Sequence, residues 1–298
     1  MDAQRLTRKQ FDILTFLDSC QGKVNQRSVS EATGMSLATV NRTISGLTEL
    51  GYLRDYTVTD AGYEALEPYQ AKRAIFLAAG FGHRMLPITL NTPRPLIRVK
   101  GTRLIDTMLD AVLAAGIEEI YIVRGYLGEQ FDQLLQKYPM IRFIDNPVYN
   151  ESYNISSAFC ARHLLENAYV LEADLMLNRP ELIQKYQYCS NYLGVPVDVT
   201  DDWFVETKNG YISSVGIGGK DCYHMFGISY WSGTDGAQLC GDIRKVYEEP
   251  GGKERYWDLV PLQYCKSHYR VETRTCNFSD IAEIDTIMDL KKLDPAYQ

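Results

Sequence analysis

The stretch Leu77–Leu96, LAAGFGHRMLPITLNTPRPL, gathers two glycines, two arginines and three prolines. Ala79, Gly80 and Gly82 leave little side chain in the way, so backbone N–H groups there can point at a phosphate chain. Arg84 adds a planar fork of donors suited to phosphate oxygens. Pro93 and Pro95 hold Arg94 on stiff backbone. Together these parts suit a triphosphate cradle. The stretch is not a P-loop, since no GK[ST] follows. Nor is it the dinucleotide GxGxxG, since Met85 stands in place of the third glycine.

Elements of a parallel sheet must position this loop. RAIFLAAG, from Arg73, is a continuous apolar run, as expected for a strand covered on both faces. A helix over RLIDTMLDAVLAAG follows, with Leu104, Ile105, Met108, Leu109 and Val112 inside. Next come a strand at EEIYIVRG, a helix at LGEQFDQLLQKY, a strand at IRFIDN, a helix at ISSAFCARHLL and a strand at AYVLEAD. Strand–helix alternation with short connections predicts a Rossmann-like α/β domain with a mostly parallel sheet and helices on both faces. Ligands of such sheets bind beyond the carboxyl ends of the strands. The glycine loop, the turn at Gly125 and the acid Asp174 all fall on that rim.

A separate module precedes this domain. Phe11, Leu14 and Leu17 mark one helix, NQRSVSEATG a second that stops at Gly34, and SLATVNRTISGLTELGYL a third. Ser36 suits the third helix's N-cap, Val40, Ile44 and Leu47 its apolar stripe, and Gly51 its end. YLRDYTVTDAGYEAL predicts a two-stranded wing and a closing helix. The segment resembles the winged helix-turn-helix domains of bacterial regulators. The boundary is placed near the Pro68 segment, giving domains over 1–70 and 71–298. The resemblance puts the third helix in the DNA major groove, with Ser36, Leu37, Thr39, Asn41 and Arg42 toward the bases. Residues 1–73 hold nine Lys/Arg and nine Asp/Glu. A module neutral in charge is weakly drawn to phosphates, so duplex DNA and a homodimer contact are both candidate partners.

Seven scattered cysteines with no CxxC argue against a zinc or disulfide framework. The first ten residues lack the apolar core of a signal peptide. No apolar run of about 20 residues exists, so no membrane partner is expected. A cytoplasmic location is expected, and the net charge of −7 argues against broad coating of nucleic acid.

The loop as a whole resembles the signature of sugar-nucleotide-type nucleotidyltransferases, LxAGxGxRxxPxTxxxPKxL. It matches at Leu77, Ala79, Gly80, Gly82, Arg84, Pro87, Thr89, Pro93 and Leu96. Arg94 stands where that family has lysine, which contacts the nucleotide α-phosphate and the acceptor phosphate. Arg94 keeps the charge but is longer and forked. VRGYLGEQF, YNISSAF, VLEADLML, DVTDDWFVE, GISYWS, ERYWDLV and AEIDTIMDLKKLD follow in order. Over residues 72–294 the chain resembles bacterial CTP:phosphocholine cytidylyltransferases.

That resemblance implies CDP-choline and pyrophosphate formed from CTP and phosphocholine. It implies Arg84, Arg94 and Asp174 as catalytic residues, and Mg²⁺ held by Asp174 and Asp285; Glu283 either assists or is a solvated strand residue. A divalent ion shared between carboxylates and phosphate oxygens would relieve charge at the reacting phosphorus. Helix N-capping is the alternative role for both acids. Nucleotide contacts are implied for Leu77, Ala78, Ala79, Gly80, Gly82, Arg84, Gly125, Tyr126 and Ser157. Choline, unable to donate a hydrogen bond, needs aromatic faces and nearby carboxylates. Trp203, Tyr256 and Trp257 are the candidate faces, with Asp202 or Glu254 offsetting the charge, and core packing is the alternative for each ring. Asp258 could serve the metal or the ligand cation. Other acceptors (phosphoethanolamine, an aminophosphonate, a sugar phosphate) stay open, as does a nucleotide-sensing transcription regulator with an inactive transferase-like domain.

Overall fold

A computed structural model describes residues 5–20 and 24–297. The chain divides into two compact units, Met1–Gln70 and Ala71–Gln298. In the first, α1 (Arg8–Ser19) starts at a capping box between Thr7 and Gln10 and buries Phe11, Ile13, Leu14 and Leu17. α2 (Gln26–Thr33) is capped by Asn25 and stops at Gly34, whose φ of 68° is left-handed. α3 (Leu37–Glu49) is capped by Ser36 and buries Val40 and Leu47, while Ile44 is only half-buried. The wing is short: β1 (Leu53–Arg54) pairs antiparallel with β2 (Thr57–Val58). α4 (Asp60–Leu66) closes the unit behind its Thr59 cap. A Cβ at Gly62 would lie 2.4 Å from the Tyr52 carbonyl oxygen, so only glycine lets this helix sit so close to the chain entering the wing.

The second unit begins with β3 (Arg73–Ala78). β4 (Arg98–Val99) and β5 (Thr102–Arg103) form a small ribbon, and α5 (Leu104–Ala114) follows. Then come β6 (Glu119–Arg124), β7 (Arg142–Asp145), α6 (Ile155–Ala161), β8 (Ala168–Glu172) and β9 (Leu175–Leu177). A long hairpin, β10 (Asn191–Lys208) and β11 (Tyr211–Trp231), precedes α7 (Gly233–Glu248). β12 (Glu272–Thr275), β13 (Ile281–Glu283) and α8 (Ile287–Leu293) complete it.

Seven strands form the main sheet in the order β10-β12-β11-β8-β3-β6-β7. β3 pairs parallel with β6 and β8, and β6 with β7. β11 joins β8 antiparallel, so a parallel half carries an antiparallel extension. Side chains of β3 alternate between two cores. Ala74 and Phe76 pack with Ile105, Met108 and Leu109 of α5. Ile75 and Leu77 pack with Ala158 of α6 and Leu239 and Ile243 of α7. Each such large side chain contributes about 1.5–3 kcal/mol by leaving water, so the strand under the loop is held from both faces. No described helix is long and apolar enough to cross a membrane.

Two expected helices differ from expectation. Gly128–Gln136 is a 3-10 helix. It buries Gly128, Phe131 and Leu134, a three-residue repeat that matches three residues per turn rather than 3.6. The helix expected over ISSAFCARHLL stops at Ala161 and continues as a 3-10 turn over Arg162–Leu164.

Candidate active site

Beyond Ala78 the chain leaves β3 and folds into three 3-10 turns, His83–Met85, Ile88–Leu90 and Arg94–Leu96. Gly82, at φ 72°, fixes the first of them. A Cβ there would lie 3.2 Å from Thr89 and 3.3 Å from Arg94, so the loop closes on itself across this glycine. The buried Thr89 hydroxyl donates to the Gly82 carbonyl at 3.0 Å. From outside, the Tyr126 N–H donates to the Ala79 carbonyl at 3.0 Å, and the Tyr126 hydroxyl to Leu90 O at 3.1 Å. Gln130 Nε2 donates to Asn91 O at 2.9 Å. Tyr126 is thus a strut beneath the loop, and Gly125 accommodates the Tyr149 ring, 2.6 Å from where its Cβ would stand.

The cleft is walled by Leu77, Ala78, Ala79, Gly80 and Gly82, and by Arg94 and Pro95. Asn146, Tyr149, Ser156, Ser157, Glu172 and Asp174 face them, with Tyr153, Asn154 and Tyr256 at the far end. Asn146 Nδ2 donates to both Ser156 Oγ (2.9 Å) and Ser157 Oγ (3.1 Å), which orients these two hydroxyls.

Asp174 lies in the turn between β8 and β9, and Asp285 follows β13. They come together because β13 pairs antiparallel with β9, setting Glu283 opposite Leu175. Neither acid caps a helix: β9 follows Asp174, and Thr286 is the cap of α8. Arg94 is 7% exposed, and its Nη2 donates to Asp174 Oδ2 and, at 2.8 Å, to Asp285 Oδ1. Arg84 Nη1 reaches the other Asp285 oxygen at 2.5 Å. Glu283 keeps 34% of its side chain exposed. Desolvation by the surrounding protein, then the charges of Asp285, Asp174 and Asp202, push it up to about 8. Three carboxyl groups converge here, and an all-oxygen donor set of this kind fits a hard divalent ion.

A second group of acids joins Asp258, a candidate from the sequence, to Glu172, which was not anticipated. Glu172 ends β8 in the cleft wall, and Asn154 Nδ2 donates to its Oε1 at 3.0 Å. A Cβ on Gly227 would lie 2.3 Å from Glu172 Cγ, so the glycine of GISYWS makes room for this side chain. Asp258 accepts from the Tyr192 hydroxyl at 2.6 Å. Burial, then the charges of Asp174 and Asp258, raise Glu172 well above the ordinary carboxylate range. Burial raises Asp258 to about 6 against the opposing Tyr192 hydrogen bond. Among the described residues, no Lys, Arg or His forms an ion pair with either.

The aromatic candidates separate. Trp203 meets Tyr256 edge-on at 5.5 Å, and Tyr153, not anticipated, meets Tyr256 at 5.1 Å. Trp257 is 2% exposed and packs between Tyr192 and Trp231 in the core. The structure therefore gives it the packing role rather than an open face. Glu254 is exposed on a 3-10 turn away from the cleft wall. Asp202 accepts from the Trp203 N–H at 2.7 Å and lies among the acids that crowd Glu283.

In the first unit, Ser36 and Thr39 are engaged in the cap of α3: the Thr39 N–H donates to Ser36 Oγ at 3.3 Å. Asn41 accepts from Gln26 at 3.3 Å, and Arg42 is exposed.

A glycine-and-arginine loop at the end of a parallel strand, beside converging acids, defines a nucleotidyltransferase. Residues 74–199 match the MobA-like NTP transferase domain family and residues 7–55 the IclR helix-turn-helix domain family. A 2-aminoethylphosphonate cytidylyltransferase of Lancefieldella rimae is 36% identical over 228 residues, covering 75% of this chain and 92% of that protein. A choline-phosphate cytidylyltransferase of Streptococcus pneumoniae is 31% identical over 224 residues, covering 74% and 96%. The solved CTP:phosphocholine cytidylyltransferase from Streptococcus pneumoniae superposes with a TM-score of 0.70 at 31% identity, over 76% of this chain and 99% of that one. The chain belongs to the MobA-like NTP transferases. Within them it is a cytidylyltransferase, preceded by a helix-turn-helix domain.

Proposed function

We propose that the chain transfers CMP from CTP to a small phosphonate or phosphate bearing a cationic amine, 2-aminoethylphosphonate first, and releases pyrophosphate. The observation that carries this reading is Glu172 in the cleft wall, a half-buried carboxylate with no side-chain cation among the described residues and with the Asp258 charge near enough to act on it. A primary ammonium brings both charge and N–H donors to such a pair, and hydrogen bonds to charged groups contribute about 1.5–3 kcal/mol each. The 36% identity to an aminoethylphosphonate enzyme supports the same acceptor. Phosphocholine is the second reading, favoured by the Trp203–Tyr256–Tyr153 cluster, whose faces suit a quaternary ammonium.

Backbone N–H groups of Ala79–Gly82 cradle the triphosphate, and Arg84 and Arg94 supply charge to its oxygens. Glu172 and the aromatic cluster hold the cationic end of the acceptor, which aims its phosphonate oxygen at the α-phosphorus. That oxygen forms the new P–O bond as the bond to the β-phosphate breaks in line. Positioning and electrostatics suffice, with no covalent enzyme intermediate. Mg²⁺, held by Asp174 and Asp285, would neutralise charge developing on the phosphates. The test is pyrophosphate release with Mg²⁺, CTP and a panel of 2-aminoethylphosphonate, phosphocholine and phosphoethanolamine. The highest kcat/KM should belong to 2-aminoethylphosphonate; a clear preference for phosphocholine moves the assignment to the second reading.

For the N-terminal unit we propose binding to duplex DNA through α3, with Arg42 and Asn41 reading base edges and Ser36 and Thr39 near the backbone. Titration against the DNA upstream of the protein's own coding region tests this. Arg42→Ala should cost about 1–3 kcal/mol and relax one base position. Absence of binding at low salt would leave the unit a protein-contact module.

A further inference from the structure

The arginine that replaces the family's lysine does more than conserve a charge. One nitrogen of Arg94, Nη2, serves Asp174 and Asp285 at once. Arg84 takes the remaining Asp285 oxygen. A cation already stands between the two acids, so a metal ion arriving alone gains little and must displace a buried guanidinium. The backbone of Arg94 cannot give way. Pro93 and Pro95 flank it, and it lies within a 3-10 turn. Only the side chain can move. Arg94 Nε is buried without a hydrogen-bond partner, so the guanidinium is incompletely satisfied where it is. Phosphate oxygens in the adjoining loop would complete it, because the planar fork accepts two oxygens side by side.

We propose that Arg94 is a resident counter-cation, and that nucleotide draws it off Asp174 and Asp285 so that metal entry and nucleotide binding are one coupled exchange. The proposal rests on the reading of these two acids as metal ligands. The carboxylates trade the single charge of a guanidinium for the double charge of a divalent ion, and the phosphates gain the guanidinium. Coupling of this kind is reciprocal, so metal must tighten nucleotide by the factor by which nucleotide tightens metal.

The test is Mn²⁺ binding, followed by electron paramagnetic resonance, with and without a non-hydrolysable CTP analogue. Wild type should bind Mn²⁺ alone weakly and tighten more than tenfold with the analogue. Arg94→Met should bind Mn²⁺ alone at least tenfold tighter than wild type and gain less from the analogue. Arg94→Lys, which keeps the charge but loses the fork and some reach, should fall between them. It also keeps the test usable if the methionine variant does not fold. Equal Mn²⁺ affinities without nucleotide for wild type and variants would overturn the coupling while leaving the metal reading intact. No Mn²⁺ binding in any protein, even with the analogue, would overturn both. Acceptor preference is measured independently by pyrophosphate release.

Discussion

Asp174 and Glu172 stand two residues apart at the end of one strand, yet their surroundings are opposite. Asp174 shares Arg94 with Asp285, and Arg84 closes the group. Glu172 has an amide from Asn154, the Trp257 indole nearby and the Asp258 charge, but no cation. β8 ends at Glu172, and the turn that follows it carries Asp174 into different company. The difference separates two kinds of recognition. On the proposed reading, the neutralised group exchanges partners, and the uncompensated group receives a cation that comes with the substrate. Uncompensated charge costs stability in the free protein, and that cost returns as affinity once a cation binds.

Removing the exchanging acid should have the largest effect. Asp174→Ala strands Arg94 with Asp285 alone and should lower turnover by about a thousandfold or more, several kcal/mol of transition-state stabilisation. Circular dichroism should show an intact fold, and near wild-type turnover at saturating Mg²⁺ would erase the contrast between the two groups.

Glu172→Gln keeps the bond from Asn154 and removes the charge. The KM for 2-aminoethylphosphonate should rise ten- to a hundredfold, about 1.4–2.7 kcal/mol, with the KM for CTP little changed. Without ligand the same variant should melt higher than wild type at neutral pH. The sign follows from the raised pKa: the folded protein holds the Glu172 proton more tightly than the unfolded chain, so ionisation opposes folding as pH rises above the ordinary glutamate value of about 4.3. The two proteins should therefore melt alike near pH 4 and diverge toward pH 7. A variant no more stable than wild type at pH 7 would contradict the uncompensated charge.

Acceptor binding should share that pH dependence with the opposite sign. Asp258, raised to about 6, must ionise to attract an ammonium. The kcat/KM for the amino acceptor should climb as pH rises through about 6, and a flat profile between 5 and 7 would remove Asp258 from the site. The smallest effect is expected at Trp203. Trp203→Ala should cost about 0.5–2 kcal/mol in acceptor binding, more for phosphocholine than for 2-aminoethylphosphonate, read as the ratio of their kcat/KM values.

The sequence made the nucleotide side more legible than the acceptor side. The spacing from Leu77 to Leu96 is constrained by backbone, and glycine and proline report backbone directly. The apolar run at RAIFLAAG likewise marks β3 as a strand covered on both faces. The acceptor end depends on side chains brought together from β8, the Tyr153–Asn154 turn, β10 and the Tyr256 turn. Tryptophan itself does not announce whether it packs or binds: Trp257 is buried in the core, while Trp203 is only half-buried and meets Tyr256 edge-on. Glu172 was hidden inside an apolar strand, where its type alone was the signal. The β10–β11 hairpin was obscured by the polar run DVTDDWFVETK. Its available mark was Asn209-Gly210, both at positive φ, the usual residues of a two-residue hairpin turn.

Gly227 has a consequence for how such an enzyme could diverge. A methyl group at 227 would occupy the volume of the Glu172 stem, so the identity of one residue limits the other. A lineage that lost Glu172 would free position 227 to drift toward larger side chains. Once it had drifted, a reversion at 172 alone would no longer fit. The two positions form a ratchet across neighbouring strands, and a change in the cation the enzyme accepts would be easier to make than to undo.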